Sequence, residues 1–235
     1  MKYTYLLIDF FTVIVPFLFS FHPRLMFYKT WRAFFPAVLL TGIVFLIWDV
    51  YFTYIGVWGF NSKYVIGLKI ANLPVEELLF FFCIPYSCVF TYFCLNTFIK
   101  VKFSNLAENV ITIAIIISSV MFSVLYHQQV YTSFTFSFLA LLLIIVKYIL
   151  KVNWLSGFYV IYLILLIPFM IVNGLLTGTG LNAPVVWYNN HETFGIRILT
   201  IPLEDVFYGM DLILLNILFY TSFTHKKTTN KLYGF

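Results

Sequence analysis

Leu73-Pro74-Val75-Glu76-Glu77-Leu78-Leu79-Phe80-Phe81-Phe82 sets two adjacent carboxylates behind a proline at the mouth of a long apolar run. The order returns near the other end of the chain as Ile201-Pro202-Leu203-Glu204-Asp205-Val206-Phe207-Tyr208. Proline is tolerated in the first turn of a helix, where a missing N–H costs nothing, so each stretch predicts a helix start with two acids in its first turn. Two such starts in one chain point to a single acid chemistry built from both.

Around these stretches the chain is 62% hydrophobic and 10% charged, with a mean hydropathy of +0.96. Such values lie far outside the range of a soluble domain, so the fold class is all-α and polytopic in a membrane. Seven runs, each of roughly 17 to 25 residues, are long and apolar enough to cross a bilayer as helices. They are Tyr3 to Ser20, Ala33 to Tyr51, Leu78 to Phe98, Val110 to Tyr126, Val130 to Ile149, Leu155 to Val172 and Val206 to Phe223. The first carries Asp9 and Pro16 and runs into Phe21-His22-Pro23-Arg24 rather than small residues, so it reads as a retained helix and not a cleaved leader. Cys83, Cys88 and Cys94 share the third run without disulfide or metal-site spacing and read as small packing residues.

Alternate connections hold ten basic residues on one side, Arg24, Lys29, Arg32, Lys100, Lys102, Lys147, Lys151, Lys226, Lys227 and Lys231. The other side holds four, Lys2, Lys63, Lys69 and Arg197. Positive residues stay in the cytoplasm, which predicts an outside N-terminus and an inside C-terminus, in a multi-pass protein of the bacterial inner membrane. The net charge of +5 is accounted for by this bias and by anionic membrane lipid, so no nucleic-acid partner is implied.

Both acidic motifs open odd-numbered helices, the third and the seventh, and therefore begin at one membrane face. Helices one to three match helices five to seven in order, with the fourth as a spacer. The predicted division is 1–103 for the first repeat, 104–128 for the spacer and 129–235 for the second. Asp49 ends helix two before Gly56-Val57-Trp58-Gly59-Phe60-Asn61, and Asn173 ends helix six before a longer loop containing Trp187-Tyr188-Asn189-Asn190. These loops either fold back over a site or anchor their aromatics at the interface.

Of nine acidic residues, seven (Asp9, Asp49, Glu76, Glu77, Glu204, Asp205 and Asp211) lie within or at the mouths of predicted helices. Intramembrane ionisable groups are costly, face the interior and are functional candidates. The plain alternative is that first-turn acids complement the helix dipole, an effect of about 0.3–1 kcal/mol. Desolvation and like-charge pairing are larger, so at least one carboxyl per site is expected to stay protonated and to act as a Brønsted acid on a weak base such as an alkene. Glu204, Tyr208, Asp211 and Leu215 share a helical face, as do Glu76, Phe80, Cys83 and Ser87, which predicts Glu204 and Glu76 as the acids turned to the interior. With aromatics at 22% of the chain, Phe80, Phe81, Phe82, Phe207 and Tyr208 are placed to stabilise a cation, while most other rings read as lipid-facing or packing material.

These residues together resemble the lycopene cyclase domain family, flavin-free membrane cyclases whose two halves are separate subunits in some organisms and fused in others. The resemblance rests on Pro74-x-Glu76-Glu77 and Pro202-x-Glu204-Asp205, on Trp48-Asp49 with Gly56-Val57-Trp58-Gly59-Phe60-Asn61, and on Arg197 before the second motif. It covers nearly the whole chain. It implies Glu76, Glu77, Glu204 and Asp205 as catalytic groups, with Asp49, Asn173, Trp58, Phe80, Phe81, Trp187, Arg197, Tyr208 and Asp211 in substrate-binding or supporting places. Asn173 stands where the first repeat has Asp49, so an acid is not obligatory there. The implied activity is that of an intramolecular lyase or isomerase: a proton is added to the terminal double bond of lycopene or another linear carotenoid, the neighbouring double bond attacks the tertiary cation, and loss of a proton leaves a β-ionone ring. No cofactor and no metal are implied, and contact with other enzymes of carotenoid biosynthesis stays open.

Four rivals are weighed against this reading. A prenyltransferase would need Asp-rich magnesium and diphosphate sites with basic partners, which Asp205 and Asp211 alone do not make. A retinal-binding protein requires a Schiff-base lysine in the last helix, and Val206 to Phe223 contains none. A proton or ion transporter also uses intramembrane acids, but here they gather at one face, with only Asp211 appreciably deeper. A related carotenoid hydratase, which adds water to the same cation, is the nearest alternative.

Overall fold

The computed structural model describes residues 1–98 and 103–232, with side chains described to 224. Lys100 and Lys102 lie outside the described residues, as do the side chains of Lys226, Lys227 and Lys231. Seven α-helices are described: α1 (Thr4–Phe19), α2 (Trp31–Tyr54), α3 (Val75–Phe98), α4 (Asn105–Leu125), α5 (Val130–Ile144), α6 (Leu155–Leu176) and α7 (Leu203–Leu232). A 3₁₀ turn, Phe27–Thr30, leads into α2, and a π turn, Ile145–Ile149, prolongs α5. In lipid every backbone polar group must be satisfied within the protein, and a helix does so inside each of these apolar runs.

Six of the seven are long and apolar enough to cross a membrane, α2 and α5 being counted with their adjoining turns. At 16 residues, α1 is shorter, about 24 Å at the helical rise against a hydrocarbon core of about 30 Å. The chain is thus an all-α membrane protein. Lipid tails are as apolar as leucine, so close packing and polar contacts hold such helices together rather than hydrophobic burial. α1 packs on α3, α5 on α7, and α2 on α7. At the end away from the acidic motifs, Lys147 pairs with Glu108 and the N–H of Ser156 donates to the same carboxylate (3.1 Å), tying α4, the α5 turn and α6 together.

Six very short strands sit at the motif end. β1 (Trp58–Phe60) pairs antiparallel with β4 (Val186–Tyr188), joining the loop before α3 to the loop before α7. β2 (Lys69–Ile70) and β3 (Leu73–Pro74) form a tight hairpin, matched by β5 (Arg197–Ile198) and β6 (Ile201–Pro202). Pro74 and Pro202 are therefore not in the first helical turn as the sequence predicts. Each ends a strand one residue before its helix, where a fixed φ also suits extended backbone.

The loops and hairpins of the two halves repeat their backbone hydrogen bonds. Val75 N–H donates to Leu68 and Leu203 N–H to Ile196, each at 3.0 Å. Asn61 N–H donates to the carbonyl of Val185, and Asn189 N–H to that of Val57. Ala71 and Leu199, at matching hairpin positions, both hold left-handed φ of 55° and 57°. The β1–β4 register maps onto itself when the halves are exchanged, with Gly59 opposite Trp187 at its centre. A Cβ on Gly59 would run into the Trp187 indole, so glycine is required there by close approach.

Candidate active site

Under the β1–β4 roof lies a cavity of about 590 Å³, within the usual range of about 300–1,000 Å³ for ligand sites. Two acids line it, Glu77 from α3 and Asp205 from α7, the second acid of each motif. A third, Asp49, lines it from α2. Among the described residues, no Lys, Arg or His lines it.

Glu76 and Glu204, predicted to face the interior, are turned away from this cavity. Each is fully buried, and each is engaged by the loop that precedes its hairpin: Ile66 N–H donates to Glu76 Oε1 (2.6 Å) and Phe194 N–H to Glu204 Oε1 (2.8 Å). Thr132 donates to the same Glu204 oxygen (2.6 Å). The physical reason is rotation: one residue turns a helix by about 100°, so once a loop amide takes the first acid of a pair, the second swings inward. The lining stripe of α7 is Asp205, Tyr208, Gly209, Leu212 and Ile213, shifted by one residue from the predicted face.

The inner acids are held by tyrosines. Tyr5, in the first turn of α1, donates to Glu77 Oε2 (2.5 Å), and Tyr131, in the first turn of α5, donates to Asp205 Oδ1 (2.6 Å). Asp205 receives two further bonds at Oδ2, from Asn173 Nδ2 (2.7 Å) and from the Tyr188 hydroxyl (3.0 Å). Burial, with Asp205 beside it, pushes the Tyr188 phenol well above its ordinary range and keeps it a donor. Thus, among the described residues, Asp205 accepts three hydrogen bonds and Glu77 one. Trp58 donates its indole N–H to Asp49 and lines the cavity itself. Tyr208 also lines it, with its ring 5.1 Å from Trp48 and 6.1 Å from Trp58 between centroids.

The structure therefore brings together Glu77, Asp205, Asp49, Asn173, Trp58, Phe80 and Tyr208 around one space. Other predicted site residues lie apart from it. Phe81 is buried behind the wall, and Trp187 is 43% exposed over Gly59. Arg197 staples its hairpin, donating to the Thr200 carbonyl (2.7 Å) and Asn190 Oδ1 (2.8 Å), with its guanidinium 5.8 Å from the Tyr188 ring centre. Asp211 is fully buried with neither oxygen hydrogen-bonded among the described residues, and Asp9 shares that condition. Cys88, read from sequence as packing material, lines the cavity.

The sequence reading missed Tyr5, Tyr131 and Tyr188. Tyr5 and Tyr131 occupy matching places in matching helices, and aligning the two repeats at α1 and α5 would have picked them out. A family model described as Lycopene cyclase matches residues 2–95 and 128–223, two repeated segments that leave α4 between them. No curated protein and no solved structure matches the chain.

Proposed function

The chain belongs to the lycopene cyclase family, an enzyme of cyclisation in carotenoid biosynthesis with both repeats in one polypeptide, and from that premise we propose that it closes the ψ ends of lycopene to β-ionone rings by acid catalysis without redox change. The observation that carries this reading is the convergence of Glu77 and Asp205, equivalent residues of the two halves, on one aromatic-walled cavity whose lining, among the described residues, holds no basic side chain. A basic group there would neutralise the acids and repel a carbocation; aromatic faces stabilise one.

Glu77, with a single donor on one oxygen, is the carboxylic acid that gives its proton to the terminal double bond. The tertiary cation is then attacked by the neighbouring double bond, and ring closure moves the charge within the ring. Asp205 meets the cation as an anion, its oxygens fixed by Tyr131, Tyr188 and Asn173, and takes the proton whose loss leaves the ring double bond. One proton is added and one removed, so substrate and product are isomers. Trp58, Tyr208 and Phe80 face the charge, and the strand roof excludes water that would capture it. Proton transfer by a positioned side chain contributes about 10²–10⁴-fold to a rate.

The same proposal takes in the setting: seven spans with α1 included, the roof and N-terminus outside, residence in the bacterial inner membrane, and division at 1–103, 104–128 and 129–235. The gap between the matched segments supports that division. Arg24, Lys29, Arg32 and Lys147, at the end opposite the roof, support the orientation.

Expression in a lycopene-accumulating host tests the reaction. The expected result is a carotene of unchanged mass bearing one or two β-rings, formed in membranes treated with chelator and without added reduced flavin. Lycopene left intact beside membrane-inserted protein overturns the reading, and a product heavier by one water assigns the cation to hydration.

A further inference from the structure

The two halves share the backbone hydrogen bonds of their loops and hairpins and disagree in the gaps beside them. The cavity occupies the gap between α1 and α6; the equivalent gap lies between α5 and α2. At four equivalent positions the side chains differ in one direction. Ile8, Thr12, Val172 and Leu176 line the cavity. Their counterparts are Phe134, Phe138, Trp48 and Phe52, four aromatics packed into one another. Trp48 lies 4.6 Å from Phe134 and 5.6 Å from Phe138, and Phe52 lies 5.6 Å from Phe134, between ring centroids.

The equivalence is fixed by contacts, not by sequence spacing alone. Val57 N–H donates to Phe52 as Val185 N–H does to Leu176, and Asn72 donates to the Val50 carbonyl as Thr200 does to that of Gly174. On the plugged side a groove runs along α2 and the Ala71–Asn72 turn, with no acid lining it among the described residues. On the open side the rim faces outward: Phe11 is 67% exposed and Ile171 63%, and both line the cavity.

Resting on the cyclase reading above, the geometry points to a single sideways portal between α1 and α6, through which a linear carotenoid enters from the bilayer one end first. The Trp48–Phe134–Phe138 plug denies the matching route between α2 and α5. Because Glu77 and Asp205 serve the same chamber, one ring forms per visit. A substrate cyclised at both ends must withdraw as a singly cyclised carotene and return by its other end.

Vesicles containing lycopene and the purified chain test this. Ile171→Trp, at the lipid-facing rim where bulk is accommodated without disturbing the core, is expected to lower ring formation at least tenfold. Ile47→Trp, its counterpart on the plugged side and 68% exposed, is expected to leave it unchanged. Val172→Trp, which transplants the plug residue, should abolish turnover while the melting temperature stays near that of the parent; if it unfolds, Ile171→Trp decides. Rings formed by the parent and at equal rates by Ile171→Trp would overturn the portal alone, and equal losses in Ile171→Trp and Ile47→Trp would overturn its one-sidedness. A parent that forms no ring removes the cyclase reading and the portal with it. Deuterated monocyclic carotene added during turnover should carry its label into any bicyclic product. Product that stops at one ring agrees with one ring per visit, whereas bicyclic product that takes up no label even when the labelled monocycle is in large excess contradicts it.

Discussion

At Glu76 and Glu77, neighbours on one helix, the loop amide of Ile66 takes the first carboxylate while the Tyr5 hydroxyl and the cavity take the second. Replacing Glu77 or Asp205 by its amide keeps size but removes the transferable proton or the anion, so ring formation should fall by about 10²-fold or more. In Glu76→Gln and Glu204→Gln the amide oxygen still accepts the loop N–H, and turnover per inserted molecule should stay within a few-fold of the parent. Comparable losses in all four variants would show that facing the cavity does not single out the working acids. The tyrosines give a graded check. A hydrogen bond to a charged group is worth about 1.5–3 kcal/mol, and Tyr131→Phe leaves Asp205 with two donors where Tyr5→Phe leaves Glu77 with none among the described residues. Single-turnover rates should therefore drop more in Tyr5→Phe than in Tyr131→Phe. The duplicated acids were legible in the sequence because proline, acid pair and apolar run recur in order. Which acid of each pair turns inward was not, since that is decided by amides ten residues upstream in loops with no periodicity to read.

Among the elements, the helices were the readable part. The apolar run Val130 to Ile149 reappears with those bounds as α5 and its π turn. The run from Leu78 was set too late, because α3 begins at Val75 and its first turn holds the two acids that lower the local hydropathy. The strands were invisible for a different reason: two or three residues are too few for alternation to show, and β1 finds its partner more than a hundred positions away. That strand pair makes a specific demand at Gly59. A methyl group there overlaps the Trp187 indole, and overpacking of this kind costs about 1–3 kcal/mol. Gly59→Ala should thus lower the thermal midpoint and the activity together, and Gly59→Ala combined with Trp187→Ala should recover much of both. Failure of the double variant to recover would mean that the approach of the indole is not what the glycine serves.

For the whole molecule, orientation is open to direct measurement. With Cys83, Cys88 and Cys94 replaced by alanine, an impermeant maleimide added to intact cells should label Lys63→Cys on the roof and not Lys29→Cys at the other end; both positions are exposed. The reverse pattern would invert the protein and put the roof in the cytoplasm. The three-helix repeat was legible from parity and motif order, but the inequality of the two gaps was not, because it depends on which of many aromatic residues meet across α2 and α5. The central rung of the roof carries a further consequence, for how half-molecules choose partners. Two copies of the first half could bring Gly59 against Gly59 without hindrance, but two copies of the second would drive indole into indole, since Trp187 fits only where its opposite residue lacks a side chain. Fragments 1–128 and 129–235, made separately in one cell, should accordingly be recovered as mixed pairs and never as second-half homodimers, a discrimination between self and other that rests on one missing side chain.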